Sequence, residues 1–175
     1  GAEDNYLWIK GENGIKFNTT ETTSSGGSWN EKNPYANAGN TWIDNTYTNN
    51  MTLSSSEANG NDGNYDISYG LRLSGDLAGV NFINNGSIIG IGSNYGYGIY
   101  NDGGTITTLT NNGLISGSPY GIYNYGEITT LTNNGLISGN GLISGFSYGI
   151  YNARGRIGTL TNNGLIISGS SSGIW

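Results

Sequence analysis

The chain has 175 residues, 32 glycines, two prolines, no cysteine, no histidine and a net charge of −6. The six basic residues are scattered, so nothing is arranged to neutralise a phosphate backbone, and nucleic-acid binding is excluded. No apolar run approaches the ~18 residues of a membrane span, so no direct insertion by this segment is expected. Only 10% of residues are charged, and polarity comes instead from Asn, Ser, Thr and Gly. Thirteen tyrosines and a regular Ile/Leu spacing nevertheless predict an ordered chain rather than a disordered one.

Along the chain, Tyr6–Lys10, the tetrapeptide Gly-Glu-Asn-Gly and Ile15–Asn18 predict a β-hairpin. The stretch 20–40, rich in Ser, Gly and Asn, predicts loop, and Thr41–Tyr47 and Met51–Leu53 are weaker strand candidates. Trp8, Trp29 and Trp42 read as the core of a cap, because stacked repeats need a covered end. Residues 1–65 are therefore expected to form an N-terminal capping region, and residues 66–175 the repeats.

The second half repeats one phrase. Tyr-Gly-Ile-Tyr-Asn followed by Ile-Thr-Thr-Leu-Thr-Asn-Asn-Gly-Leu-Ile-Ser-Gly runs from Tyr97 to Gly117 and from Tyr120 to Gly139, then with changes from Tyr148 to Gly169. Partial copies stand at Tyr69 and Ser172. A fixed period of this kind is the signature of stacked supersecondary units. Ile88, Ile115, Ile137 and Ile166 are constant between variable neighbours, so alternation points them inward. The same argument places Ile99, Ile122, Ile150 and Ile174 inside, with Leu109, Leu131 and Leu160. It places Tyr100, Tyr123, Tyr151 and Trp175 outside. Gly and Asn-Asn-Gly punctuate the strands and supply corners.

The resulting expectation is an all-β chain built as a right-handed parallel β-helix, a solenoid with three short strands per coil and an N-terminal β cap. Strands are expected at 87–89, 98–100, 105–110, 114–116, 121–123, 127–132, 136–138, 149–151, 156–161 and 165–168. An asparagine ladder is expected through residues 111, 112, 133, 134, 162 and 163, and a cross-coil ion pair between Glu127 and Arg156. The near-verbatim copy after Asn140 predicts a protrusion at 139–147. The chain stops in mid-repeat at Gly173-Ile174-Trp175, so more coils are expected to follow in the natural protein.

Catalytic machinery is not legible. From Asn81 onward the only acids are Asp102 and Glu127, one coil apart and at unmatched positions, and no His or Cys can serve as base or nucleophile. No catalytic residue, metal site or cofactor is expected. Tyr100, Tyr123, Tyr151 and Trp175 are the candidate binding residues, an outward aromatic ladder suited to sugars or proteins.

The repeats resemble the Asn/Gly/Thr-rich repeats of autotransporter passenger domains, including adhesin-like and vacuolating-cytotoxin-like surface proteins of Gram-negative bacteria. The resemblance covers about residues 69–175. It implies a β-helical passenger exported through an outer-membrane barrel beyond this chain, and an extracellular, cell-surface location. It transfers no binding residue. The expected function is a non-catalytic adhesin or structural stalk. Its partners would be a host-cell surface protein, a glycan, or further copies along the rod. An ice-binding face made of the outward Thr-Leu-Thr triplets at 108–110, 130–132 and 159–161 is the alternative, and a polysaccharide lyase or hydrolase is less favoured.

Overall fold

The computed structural model describes residues 5–18, 29–30, 39–55, 57–91, 95–141 and 146–175. Tight turns shape its first third. β1 (Leu7–Gly11) and β2 (Ile15–Asn18) form the expected hairpin, with Ile9 opposite Phe17 and Asn13 and Gly14 turning at positive φ. β2 pairs antiparallel with β3 (Trp29–Asn30). The rest of the expected 20–40 loop lies almost wholly outside the described residues. β4 (Thr41–Ile43) and β5 (Thr46–Asn49) close on Asp44 and Asn45, at φ 49° and 60°. Two consecutive left-handed residues match the twist of a two-residue hairpin, and Asp and Asn tolerate that region best after Gly. β6 (Thr52–Ser55) and β7 (Gly60–Asn61) follow.

From Asp66 long and short strands alternate. β8 (Asp66–Asn84), β10 (Tyr95–Asn111) and β12 (Pro119–Asn133) lie side by side in parallel. Like faces like: Ile99 opposes Ile122, Leu109 opposes Leu131, and Asn111 opposes Asn133. Each long strand ends at an asparagine, turns through Asn-Gly, and continues as β9 (Ser87–Gly90), β11 (Leu114–Gly117) or β13 (Leu136–Gly139). The last repeat comprises β14 (Tyr148–Tyr151), β15 (Arg156–Asn162) and β16 (Leu165–Ser168). Among the described residues the short strands form a five-stranded parallel sheet, β16-β13-β11-β9-β6. The remaining strands form an eleven-stranded sheet.

The all-β class is as expected, with no helix among the described residues. The right-handed parallel β-helix with three short strands per coil is corrected. The larger sheet is mixed, because the turns at Asn13-Gly14, at Asp44-Asn45 and before Asp66 reverse the chain and add antiparallel pairs. Each central repeat contributes one long and one short strand, not three short ones. The strands expected at 98–100 and 105–110 are a single β10, whose pairing to β12 passes through a bulge between Asp102 and Thr105, at Gly103 with φ 73°. A glycine bulge bends a strand without ending its ladder. Those expected at 121–123 and 127–132 likewise merge in β12, and only β14 and β15 stay separate. β1, β5 and β6 pair in parallel with β8 and β9, so strands of the first 65 residues join the same two sheets.

The core lies between the sheets. Ile88, Ile115 and Ile137 from the five-stranded sheet meet Ile99, Ile122, Ile150, Leu109 and Leu131 from the eleven-stranded one, all fully buried. Ile157, Leu160 and Ile166 pack half-buried against it, while Ile174, expected inside, is 46% exposed. The glycine of each Tyr-Gly-Ile lets the sheets close. A Cβ on Gly121 would sit 2.6 Å from the Gly149 carbonyl oxygen, 2.9 Å from the Ser138 carbonyl oxygen and 2.9 Å from Ile137 Cγ2.

The corner after each long strand carries the expected asparagine ladder, and it is longer than expected. Asn40, Asn49, Asn84, Asn111 and Asn133 each donate from Nδ2 to the Oδ1 of the next member at 2.8–2.9 Å, and Asn162 ends the column as an acceptor. All but Asn162 are buried. Asn111 also donates to the carbonyls of Gly113 and Leu136. A second, exposed ladder joins Asn50, Asn85, Asn112, Asn134 and Asn163. Glu127 opposes Arg156 in register, but the expected ion pair is not among those of the described residues. Pinning two long exposed side chains gains little in water. Residues 142–145, the heart of the expected protrusion, lie outside the described residues.

Asn111→Ala removes the buried acceptor of Asn84 Nδ2 and the buried donor to Asn133 Oδ1 and the Leu136 carbonyl, and is expected to cost on the order of 3 kcal/mol. Asn112→Ala on the exposed ladder is expected to cost under about 1 kcal/mol. Urea denaturation of the two variants checks this, and equal losses would remove the distinction between the ladders.

Candidate functional site

The repeated Tyr-Gly-Ile-Tyr segment puts two tyrosines three residues apart on one surface. Strict alternation would separate them, but the chain bends at the glycine, so Tyr97 and Tyr100 share a cluster while Ile99 enters the main core. Stacking of the repeats then makes two columns. Tyr69, Tyr97, Tyr120 and Tyr148 are in register in one, and Arg72, Tyr100, Tyr123 and Tyr151 in the other. Trp175 extends the second column, its ring stacked on Tyr151 at 4.8 Å and 21°. Its backbone is tied in as well: Trp175 N–H donates to the Ile150 carbonyl, and Asn152 N–H donates to the Trp175 carbonyl. Diagonal contacts weave the columns together. Tyr97 stacks on Tyr123 and Tyr120 on Tyr151, both at 4.7 Å. Offset stacking at this distance contributes about 0.5–1.5 kcal/mol per pair beyond area burial.

The four candidate residues occupy unequal places. Tyr100, expected outward, is 3% exposed, a correction with a clear cause. The β7–β8 hairpin lies over this end of the columns. Tyr97 Oη donates to Asp62, Tyr100 Oη donates to the Asn61 carbonyl at 3.3 Å, and Tyr65 stacks on Tyr95 at 4.3 Å. Asp62 in turn accepts the N–H groups of Asn64 and Tyr65, and Asp66 accepts from Asn61 Nδ2. Turn chemistry thus accounts for both acids. Tyr123 and Tyr151 are half-buried, and Trp175 is 60% exposed. Behind the hairpin Arg72 pairs with Asp102 and lies 3.8 Å from the Trp8 ring centroid, so the first acid after Asn81 is held by a cation. Trp42 packs edge-on against Phe17 as part of the core, and nothing is described of the Trp29 side chain.

Where the hairpin stops, a groove of about 720 Å³ opens. Tyr123, Tyr151 and Trp175 line it, which brings together three of the four candidate residues. Asp62, Asn64, Tyr125, Asn152 and Arg154 complete the wall, and sequence reasoning did not assign them to a site. A volume in this range with aromatic and convergent polar lining has the character of a small-ligand site. The stacked tyrosines turn their faces to one another, so a groove ligand meets ring edges and hydroxyls. Trp175 is the most exposed of the four candidate rings. The groove's one signal in sequence is a break in the repeat: Asn152-Ala-Arg-Gly stands where Asn124-Tyr-Gly and Asn101-Asp-Gly-Gly stand in earlier copies.

Comparison with protein-family models, curated proteins and solved structures finds no match.

Burial dominates the protonation of the tyrosines. It raises the phenols of Tyr47, Tyr69, Tyr97, Tyr100 and Tyr120, Tyr97 further through Asp62, and it pushes Tyr123 up to about 12. An unfolded tyrosine titrates near about 10. Above that pH the unfolded chain releases protons that the folded chain keeps, so stability is full below about pH 10 and falls as pH rises further. Urea midpoints measured between about pH 8 and 11 should therefore decline only in the upper part of that window, and Tyr123→Phe should shallow the decline; a flat profile would contradict the burial of the columns.

Proposed function

We propose that this chain is a non-catalytic, surface-exposed segment of an autotransporter-type passenger that serves adhesion, and that it holds a glycan in the groove beside Trp175. The groove carries the reading, since it gathers an aromatic face, tyrosine hydroxyls, amides and one charge of each sign. Sugars present an apolar C–H face and a rim of hydroxyls, and an aromatic ring with polar neighbours satisfies both. The repeat phrase's likeness to passenger domains supports an extracellular setting. Replacing Trp175 with Ala is expected to abolish binding on a glycan array and attachment to host cells while shifting the melting temperature by under a few degrees, because the ring is more than half exposed. Unchanged attachment would leave the columns as scaffold and the chain as a stalk.

A second reading, ice binding, is favoured by the strand register. Thr46, Asn81, Thr108, Thr130 and Thr159 form one outward column, and Thr48, Ile83, Thr110, Thr132 and Thr161 the next. Asn81, which interrupts the array in sequence, joins Thr46 and Thr108 through its side-chain amide, whereas Ile83 leaves the second column broken. If this face orders water, the protein shows thermal hysteresis that Thr110→Leu with Thr132→Leu removes. Absence of hysteresis in the parent protein retires the reading.

A further inference from the structure

We infer that the groove selects a sugar bearing a carboxylate, and that Arg154 is the residue that receives it. The inference rests on the glycan reading of the groove and names its ligand class.

Arg154 lies between β14 and β15 in a turn that fixes it firmly. Its φ is 59°, a left-handed conformation that a non-glycine residue adopts only where its surroundings impose it. Those surroundings are on both sides. Asn152 Oδ1 accepts from Asn124 Nδ2 at 2.8 Å, its N–H is held by the Trp175 carbonyl at 2.7 Å, and Ala153 is buried. A Cβ on Gly155 would lie 2.4 Å from the Asn124 carbonyl oxygen, so the backbone is clamped there too. The same short segment therefore places Arg154 and anchors Trp175 at one groove.

The charges are unequal in availability. Asp62, the acid of the groove, already accepts a phenol and two backbone N–H groups. Arg154 is exposed and, among the described residues, has no acid within ion-pair distance, in contrast to Arg72 with Asp102 and Lys10 with Glu12. Its positive field reaches Tyr123, whose phenol it lowers against the upward push of burial. A guanidinium is less strongly hydrated than an ammonium and offers paired N–H donors that match a carboxylate in a two-point contact. With a net charge of −6 the chain repels polyanions at long range, so the carboxylate is recognised locally, by one residue.

The test uses the full chain and four soluble probes: tetragalacturonic acid, its methyl ester, sialyllactose and lactose. Calorimetric titration should show the acidic member of at least one pair binding about tenfold tighter than its neutral counterpart, the size expected of one charge-assisted contact. Which pair shows the preference distinguishes a uronate from a sialate. Arg154→Gln, with an unchanged melt, should bring acid and neutral probe to equal affinity; Trp175→Ala should lose both. Equal binding of acid and neutral probes by the parent chain overturns the carboxylate inference and leaves the glycan reading standing. A preference that survives Arg154→Gln overturns the role of Arg154. No binding of any of the four overturns the inference together with the reading beneath it.

Discussion

A buried column of asparagine amides holds this architecture in register. An amide is one of the few side chains that can donate and accept at once, so a column of them satisfies itself at strand spacing. Here each Nδ2 reaches the next Oδ1, and in the column's middle members it also reaches backbone carbonyls at the corner. The glycine carbonyls of these turns also accept a strand N–H from the next repeat, as Gly113 does from Leu136, so the amides add a second donor where the chain passes from one sheet to the other. The column also fixes register: a slip of one residue would put Thr110 or Asn112 in the buried place and strand the amides. Once Asn84, Asn111, Asn133 and Asn162 are aligned, the isoleucines, leucines and tyrosines before them align as well, and so do the short strands after them.

The second constraint is the close approach of the sheets at the Tyr-Gly-Ile glycines. It bends the strand so that isoleucine turns inward and both flanking tyrosines turn to the opposite surface. Stability and binding then draw on the same rings. Stacking along the columns uses up tyrosine faces, which is why a long aromatic ladder is a poorer sugar platform than its composition suggests. Of the four candidate rings Trp175 is the most exposed.

How much of this is legible in sequence depends on whether a feature repeats. The inward isoleucines, the asparagine ladder and the registers of Ile99 with Ile122 and Leu109 with Leu131 follow from comparing copies, because a position that never varies between variable neighbours must face the core. Strand count does not follow. A glycine between two strand-like stretches reads equally as a corner or a bulge, and Gly103 is a bulge. The burial of Tyr100 was likewise invisible, because its cover comes from a hairpin near residue 62 that shares no pattern with the repeats. Of the site, the rings were legible and the polar wall was not.

Residues at the groove follow from that asymmetry. Selection for stacking keeps the copies alike, so a copy that departs from the others has been released from that demand or given another. Asn152-Ala-Arg-Gly has the length of Asn101-Asp-Gly-Gly, one residue more than Asn124-Tyr-Gly, and it sets a buried alanine where Asp102 stands and an exposed arginine where Gly103 turns at φ 73°. Release alone would favour a glycine at a left-handed position, since glycine pays no steric cost there. An arginine held at φ 59° by hydrogen bonds on either side is harder to explain by scaffold demands, because its side chain contributes no ion pair among the described residues. In a structure whose regular parts are accounted for by stacking, the irregular turn at the groove is the part that stacking leaves unexplained.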